Sequence, residues 1–146
     1  MEQLVLNWDG PFKLDQRIPV HLVGAIGLYL CECDSKIVYV GKAETQGAFK
    51  RLKDHFRGIM DSTGKCVLKH TRTKNKSEIN IWVGWIEEGE SRELINDAEK
   101  LVIYKLNARG RVPCNRTYSD KYRGRSLHLR NRGKYPKDLP EELQYI

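Results

Sequence analysis

Two apolar segments, each of strand length, are separated by only two residues, and this spacing is the strongest constraint on the fold. The segments are residues 24–33 (GAIGLYLCEC) and residues 36–40 (KIVYV), and Asp34 and Ser35 lie between them. A two-residue connection joins antiparallel strands, because parallel neighbours need a crossover of about a dozen or more residues. The sequence therefore predicts a β-hairpin over residues 24–40.

The chain after the hairpin carries two helical patterns and one more strand pattern. Apolar residues recur at helical spacing over residues 46–60 and again over residues 91–107, where Ser91 is the expected N-cap. Residues 78–86 alternate apolar and polar, which predicts a third strand. The polar residues 61–77 predict a loop, either irregular throughout or with a short helix around Val67 to His70. This order predicts an α/β (α+β sandwich) fold with a small antiparallel three-stranded sheet flanked by helices.

Positive charge is concentrated in two regions of the chain. The sequence has 26 Lys and Arg against 19 Asp and Glu, a formal net charge of +7. Residues 42–76 hold ten basic and three acidic side chains, and residues 116–146 hold eight and four. Two basic regions favour a polyanionic partner such as nucleic acid, and the alternative is a merely basic, soluble surface.

The apolar runs are too short for a membrane span, and the N-terminal residues do not have the pattern of a signal peptide. We therefore expect a cytoplasmic protein with no membrane partner, in which the four cysteines are reduced rather than bridged. A zinc site would have to recruit Cys66, His70 or Cys114 through the fold. The spacing of these residues matches no common zinc pattern.

One carboxylate lies on or beside the apolar stripe of the second predicted helix. Ile95, Glu99, Val102 and Leu106 follow one another at helical spacing. A carboxylate in that position costs several kcal/mol unless a cation or a set of hydrogen-bond donors accompanies it. Glu99 is therefore either an edge residue paired with an arginine or a metal ligand at the rim of a basic cleft.

Several short motifs, each uninformative alone, occur in a characteristic order. They are Gly27-Leu28-Tyr29, Tyr39-Val40-Gly41, Arg51 with His55 four residues later, Glu99, and Pro113-Cys114-Asn115. Together they resemble the GIY-YIG nuclease superfamily over about residues 24–116. The resemblance implies the GIY-YIG fold and a metal-dependent DNA endonuclease that hydrolyses phosphodiester bonds.

The resemblance also implies a role for each motif residue. Glu99 would bind one divalent ion per site, Mg²⁺ or Mn²⁺, together with waters and a phosphate oxygen. Arg51 would contact the scissile phosphate and stabilise the transition state. Tyr29 and Tyr39 would line the site, and one of them would activate the attacking water.

Three further residues would support the tyrosines. Lys42 would lower the pKa of the activating group, His55 would position a tyrosine or the water or relay a proton, and Asn115 would hydrogen-bond across the site. Tyr29 is preferred over His55 as the base, because Lys42 directly follows the hairpin and is expected near the Tyr29 hydroxyl. His70 is a candidate for a further histidine that many members have.

With this resemblance, the expected partner of the basic regions is double-stranded DNA. The predicted DNA contacts are Lys50, Lys53 and Arg57 around the first helix, and Lys121, Arg123, Arg125, Arg130 and Arg132 near the C-terminus. The C-terminal stretch is either an arm that enters a groove or a tail that is disordered without DNA. A homodimer is expected if the enzyme cuts both strands.

A chain of 146 residues suits one compact domain. We divide it into a family-specific extension (residues 1–23), a nuclease core (24–116) and a basic C-terminal extension (117–146). The expected setting is a small standalone nuclease of a phage, a mobile element or a bacterial defence system. The alternatives are an inactive module on the same fold that binds nucleic acid without cutting, and an unrelated basic domain that binds RNA.

Overall fold

The computed structural model describes residues 1–17, 19–43, 47–87, 92–116 and 120–146. These ranges contain six strands: β1 (Glu2–Phe12), β2 (Gly27–Cys33), β3 (Lys36–Ala43), β4 (Asn80–Trp85), β5 (Leu127–Gly133) and β6 (Glu142–Tyr145). Its three α-helices within these ranges are α1 (Ala48–Asp54), α2 (Ser62–Lys69) and α3 (Glu93–Asn107). Short 3-10 turns occupy Val20–Leu22 and Lys76–Glu78.

The strands form one six-stranded mixed sheet in the order β3-β2-β4-β1-β5-β6. The prediction of a small three-stranded antiparallel sheet is therefore wrong, although the chain does combine helices and strands. β2 pairs antiparallel with β3, as the hairpin predicts, and also with β4. In turn β4 pairs with β1, and β1 pairs in parallel with β5. The sheet is larger because Leu4, Leu6 and Trp8 alternate along β1 and bury their side chains in the core.

The sheet includes strands from all three segments into which the sequence was divided, and that division stays a prediction. The predicted hairpin is confirmed: Cys33 pairs with Lys36, and Asp34 and Ser35 have φ angles of 53° and 64°. Positive φ at both central residues is the geometry of a type I′ turn, whose twist matches that of the paired strands.

The later elements follow the predictions in part. The third predicted strand and the second predicted helix are present as β4 and α3, whereas α1 is shorter than the predicted helix. The segment 61–77 contains α2, which overlaps the alternative of a short helix around Val67 to His70 but begins earlier, at Ser62. The predicted N-cap Ser91 lies outside the described residues. Within the described ranges, no helix is long and apolar enough to cross a membrane.

Alternate residues of the strands pack into two cores on the two faces of the sheet. On one face, Leu28 and Leu30 of β2 pack with the apolar side of α3. On the other face, Tyr29 and Cys31 pack with apolar residues of α1 and α2. β3 is the outermost strand at one end of the sheet. Helices α1 and α3 contact β3, and its outer edge pairs with no other strand among the described residues. That edge is therefore available to the segment that follows α3.

Cys66 of α2 and Cys114, in the segment after α3, form a disulfide. The prediction that all four cysteines are reduced is therefore wrong for this pair, because two residues 48 positions apart are brought together beside β3. Cys31 and Cys33 are buried free thiols. The bond ties α2 to the segment that runs along the edge of the sheet.

Candidate active site

The segment after α3 lies along the free edge of β3. The backbone amides of Val112 and Cys114 donate to the carbonyls of Ile37 and Val38, each at 3.0 Å. The side chain of Asn115 then pairs with the backbone of Val40: its oxygen accepts from the Val40 amide at 2.8 Å, and its nitrogen donates to the Val40 carbonyl at 2.9 Å. Asn115 therefore fixes this segment beside β3.

The glycine that ends the second motif is required by the packing of Tyr29. Tyr29 is only 1% exposed, and its ring lies directly over Gly41 on the paired strand. A Cβ atom at Gly41 would lie 2.1 Å from Cζ and 2.3 Å from the hydroxyl oxygen of Tyr29. Any larger residue would have to displace the ring, so the two motifs of the hairpin depend on each other.

The Tyr29 hydroxyl begins a chain of three polar side chains. Its oxygen lies 3.0 Å from Nε2 of His55, and Nδ1 of His55 lies 2.7 Å from the carboxylate of Asp61. Partial burial raises the pKa of Asp61, but hydrogen bonds from the Gly64 amide and from His55 lower it overall. The ionised carboxylate can only accept, so Nδ1 donates to it, and Nε2 of the neutral ring accepts from the Tyr29 hydroxyl.

Both tyrosines are held as neutral phenols at neutral pH. Burial raises the pKa of Tyr29 well above its ordinary value, and this effect outweighs the lowering caused by Arg51. Burial and the nearby Glu99 carboxylate raise the pKa of Tyr39. Neither phenol is therefore a ready base, and the Tyr29 hydroxyl faces Nε2 of His55 at 3.0 Å.

The structure brings together five of the motif residues. Tyr29, Tyr39 and His55 form a ring cluster with centroid separations of 5.7 to 6.3 Å. Arg51 is exposed on α1 and close enough to Tyr29 to lower its pKa, and the buried carboxylate of Glu99 is close enough to Tyr39 to raise its pKa.

Lys42 occupies a different position from the one expected. Its amino group donates to the side-chain oxygen of Asn96 on α3. Lys42 follows Gly41 on β3, so its side chain leaves the strand on the face opposite to the Tyr29 ring. The tyrosine hydroxyl that Lys42 was expected to approach instead pairs with His55.

A polar cleft of about 190 Å³ opens beside Tyr39. Its lining residues come from β3, from α2 and from the segment after α3: Tyr39, Ser62, Thr63, Cys66, Cys114, Asn115 and Arg116. A cleft of this volume has room for a phosphate group and for water molecules. Tyr39 is therefore the tyrosine that a bound substrate would meet, with Tyr29 behind it.

Sequence reasoning considered a short helix only around residues 67–70, so it missed the start of α2 and the contribution of Asp61 to the site. The carboxylate of Asp61 is the N-cap of α2 and accepts from the Gly64 amide at 2.8 Å. Gly64 allows the close approach of α2 to His55, because a Cβ there would lie 2.1 Å from the His55 carbonyl oxygen. The available signal for this helix start was Asp61 itself, because Asp is a preferred N-cap residue and apolar residues such as Val67 follow it.

Of the predicted DNA contacts around α1, Lys53 contacts other residues of the fold, whereas the other two side chains are exposed. Lys50 and Arg57 are exposed. The amino group of Lys53 lies 5.8 Å from the centre of the Phe49 ring and donates to the carbonyl of Gln16 at 3.3 Å. Lys50 and Arg57 are thus the exposed side chains of this group, and Arg57 lies 3.9 Å from the Asp54 carboxylate.

The predicted contacts near the C-terminus lie partly within the sheet. Arg130 belongs to β5 and donates to Glu142 of β6 at 3.0 Å, and Arg125 lies 3.7 Å from Asp97 of α3. Residues 117–119 of the basic stretch lie outside the described residues. Three other predicted contacts have exposed side chains: Lys121, Arg123 and Arg132.

Comparisons of the chain with protein-family models, with curated proteins and with solved structures found no match. Function is therefore inferred from the residues of the cleft and their chemistry.

Proposed function

We propose that the protein is a metal-dependent endonuclease that hydrolyses phosphodiester bonds of double-stranded DNA in the cleft beside β3. The observation that carries this proposal is the hydrogen-bonded chain from Tyr29 through His55 to Asp61, which begins behind the cleft residue Tyr39. A relay of this kind can remove a proton from a water molecule. Hydrolysis of a phosphodiester requires that step.

Glu99 is suited to hold the divalent ion. Glu99 is 9% exposed, and its carboxylate is close enough to the cleft residue Tyr39 to raise the pKa of that tyrosine. Mg²⁺ commonly binds through one or two carboxylates and keeps several waters, so one carboxylate and the phosphate of the substrate would be sufficient. The bound ion would supply charge neutralisation at the phosphate and at the leaving oxygen.

The proton of the attacking water passes along the tyrosines. Tyr39 accepts it and gives its own proton to Tyr29, which gives its proton to Nε2 of His55. Asp61 stabilises the imidazolium that forms. The water oxygen bonds to phosphorus, the bond from phosphorus to the leaving ester oxygen breaks, and that oxygen takes a proton from solvent. Arg51, with its planar fork of donors, would contact the phosphate oxygens.

The test is cleavage of supercoiled plasmid with Mg²⁺, with and without a chelator, by the wild type and by Glu99→Gln. We expect nicked or linear product that disappears with the chelator, and at least about a thousandfold slower cleavage by the variant, because the carboxylate that anchors the ion is gone. Glu93→Gln is the matched control, since Glu93 is an exposed carboxylate on the same helix.

Cleavage by Glu99→Gln at the wild-type rate would contradict the role of Glu99. A wild-type protein that binds duplex DNA in a gel-shift assay but leaves the plasmid intact would support the inactive binding module instead.

A further inference from the structure

A second group of potential metal ligands lies next to the cleft. Sulfur atoms of Cys66 and Cys114 and a ring nitrogen of His70 all lie within 4.8 Å of one another. Cys66 and His70 are four residues apart at the C-terminal end of α2, so they project from the same face of the helix. Cys114 reaches them from the segment along β3.

We propose that Cys66, His70 and Cys114 bind one Zn²⁺ ion when the disulfide between the cysteines is reduced. Tetrahedral zinc has bonds of about 2.3 Å to sulfur and about 2.0 Å to nitrogen, which places its ligand atoms roughly 3.3 to 3.8 Å apart. The three atoms lie within 4.8 Å of one another, and the two sulfurs are closer than zinc requires because they are bonded to each other. Breaking the disulfide frees both sulfurs to move to the zinc separation.

The fourth zinc position would face the cleft. Cys66 and Cys114 both line the cleft of about 190 Å³, together with Tyr39 and Asn115. Three protein ligands with one position left for water is a coordination that zinc adopts in proteins, including sites with two cysteines and one histidine. Arg116 lines the same cleft, and a neighbouring cation favours the thiolate form that binds metal.

The disulfide and the ion exclude each other. A dithiol reductant transfers two electrons and two protons to the Cys66–Cys114 bond and becomes a cyclic disulfide. The two thiols then lose their protons as Zn²⁺ binds. In either state α2 stays linked to the segment that holds Asn115 against β3, first by a covalent bond and then by the ion.

The experiment is a metal titration of the full chain without DNA, so its result does not depend on the proposed nuclease activity. The protein is reduced with dithiothreitol, freed of reductant without air, and titrated with Co²⁺ and then with Zn²⁺. We expect one Co²⁺ per chain with the thiolate charge-transfer band and the intense visible bands of tetrahedral cobalt, and displacement by Zn²⁺. The oxidised protein should show neither band.

Matched variants identify the ligands. His70→Asn, at an exposed position, should weaken Co²⁺ binding by at least about a hundredfold, and Cys66→Ser should lose the charge-transfer band. His128→Asn controls for loss of a histidine elsewhere. Cys33→Ser controls for the buried free thiols and keeps a donor towards the Val67 carbonyl. Both controls should titrate like the wild type.

Two results would overturn the proposal. One is a reduced wild-type chain with free thiols by assay and no thiolate–cobalt band at micromolar metal. The other is a band that is unchanged in His70→Asn.

Discussion

At the scale of single residues, Tyr29, His55 and Asp61 determine which group can take a proton. The sequence-based hypothesis chose Tyr29 as the base and relied on Lys42 to lower its pKa. In the structure, burial raises the pKa of Tyr29, and Lys42 donates to Asn96 on the other side of β3. A neutral phenol hydrogen-bonded to His55 relays a proton more readily than it forms a stable phenolate.

Tyr29→Phe and His55→Gln should each slow DNA cleavage by about a hundredfold to ten-thousandfold, and the double variant should be little slower than either. The losses overlap because both substitutions break the same relay. Single-turnover cleavage rates of the three variants measure this, and His21→Gln, a change at an exposed histidine, is the control. Additive losses would mean that the two residues act separately.

At the scale of elements, the N-terminus of α2 positions His55. The Asp61 carboxylate caps the helix and also accepts from His55 at 2.7 Å. Gly64 lets the helix backbone approach the carbonyl of His55 without a steric clash. The start of α2 was missed because the helix is short and its first residues are polar, so its position depends on these contacts more than on an apolar stripe.

Asp61→Ala should lower the free energy of unfolding by about 1 kcal/mol, the usual effect of removing an N-cap side chain. The pKa of Asp61 is lowered in the folded state. Its stabilisation is therefore present above the pKa of the unfolded chain and is lost as the pH falls through the lower, folded-state pKa.

Urea unfolding of Asp61→Ala and of the wild type, at neutral and at strongly acidic pH, measures the loss of stability and its pH dependence. The difference in the free energy of unfolding between the two proteins should be smaller in acid than at neutral pH. Asp54→Ala removes an exposed carboxylate at the end of α1 and is the control. An equal cost for the two variants at neutral pH would show that Asp61 does not cap α2.

At the scale of the whole molecule, the covalent link between α2 and the segment after α3 holds the site against the edge of the sheet. The disulfide joins Cys66 to Cys114, and the next residue, Asn115, is bonded to the backbone of β3. The link spans 48 residues, which include β4 and α3. Closing so long a loop restricts the unfolded chain strongly.

Reduction of the Cys66–Cys114 bond in the presence of a chelator should lower the free energy of unfolding by about 2 to 4 kcal/mol. Urea unfolding with and without dithiothreitol measures the change. A Cys66→Ala/Cys114→Ala variant should be insensitive to the reductant. If it lost as much stability on reduction as the wild type, the effect would have another source.

The sequence by itself was sufficient for the elements whose signals are local. The hairpin follows from strand-length apolar runs around Asp34 and Ser35, and α3 follows from the helical spacing of apolar residues over residues 91–107. The order of the motifs also singled out Tyr29, Tyr39, Arg51, His55 and Glu99, which the structure brings to one region. These signals act over a few residues, so periodicity and turn chemistry reveal them.

The tertiary structure alone decided how distant segments combine. β1 lies between β4 and β5, and Trp8 of β1 donates to Asn131 of β5 at 2.8 Å across 123 residues of sequence. No local pattern specifies that pairing or the Cys66–Cys114 bond. Each depends on which surfaces are left to be covered once the neighbouring strands and helices have packed, and that is a property of the whole chain.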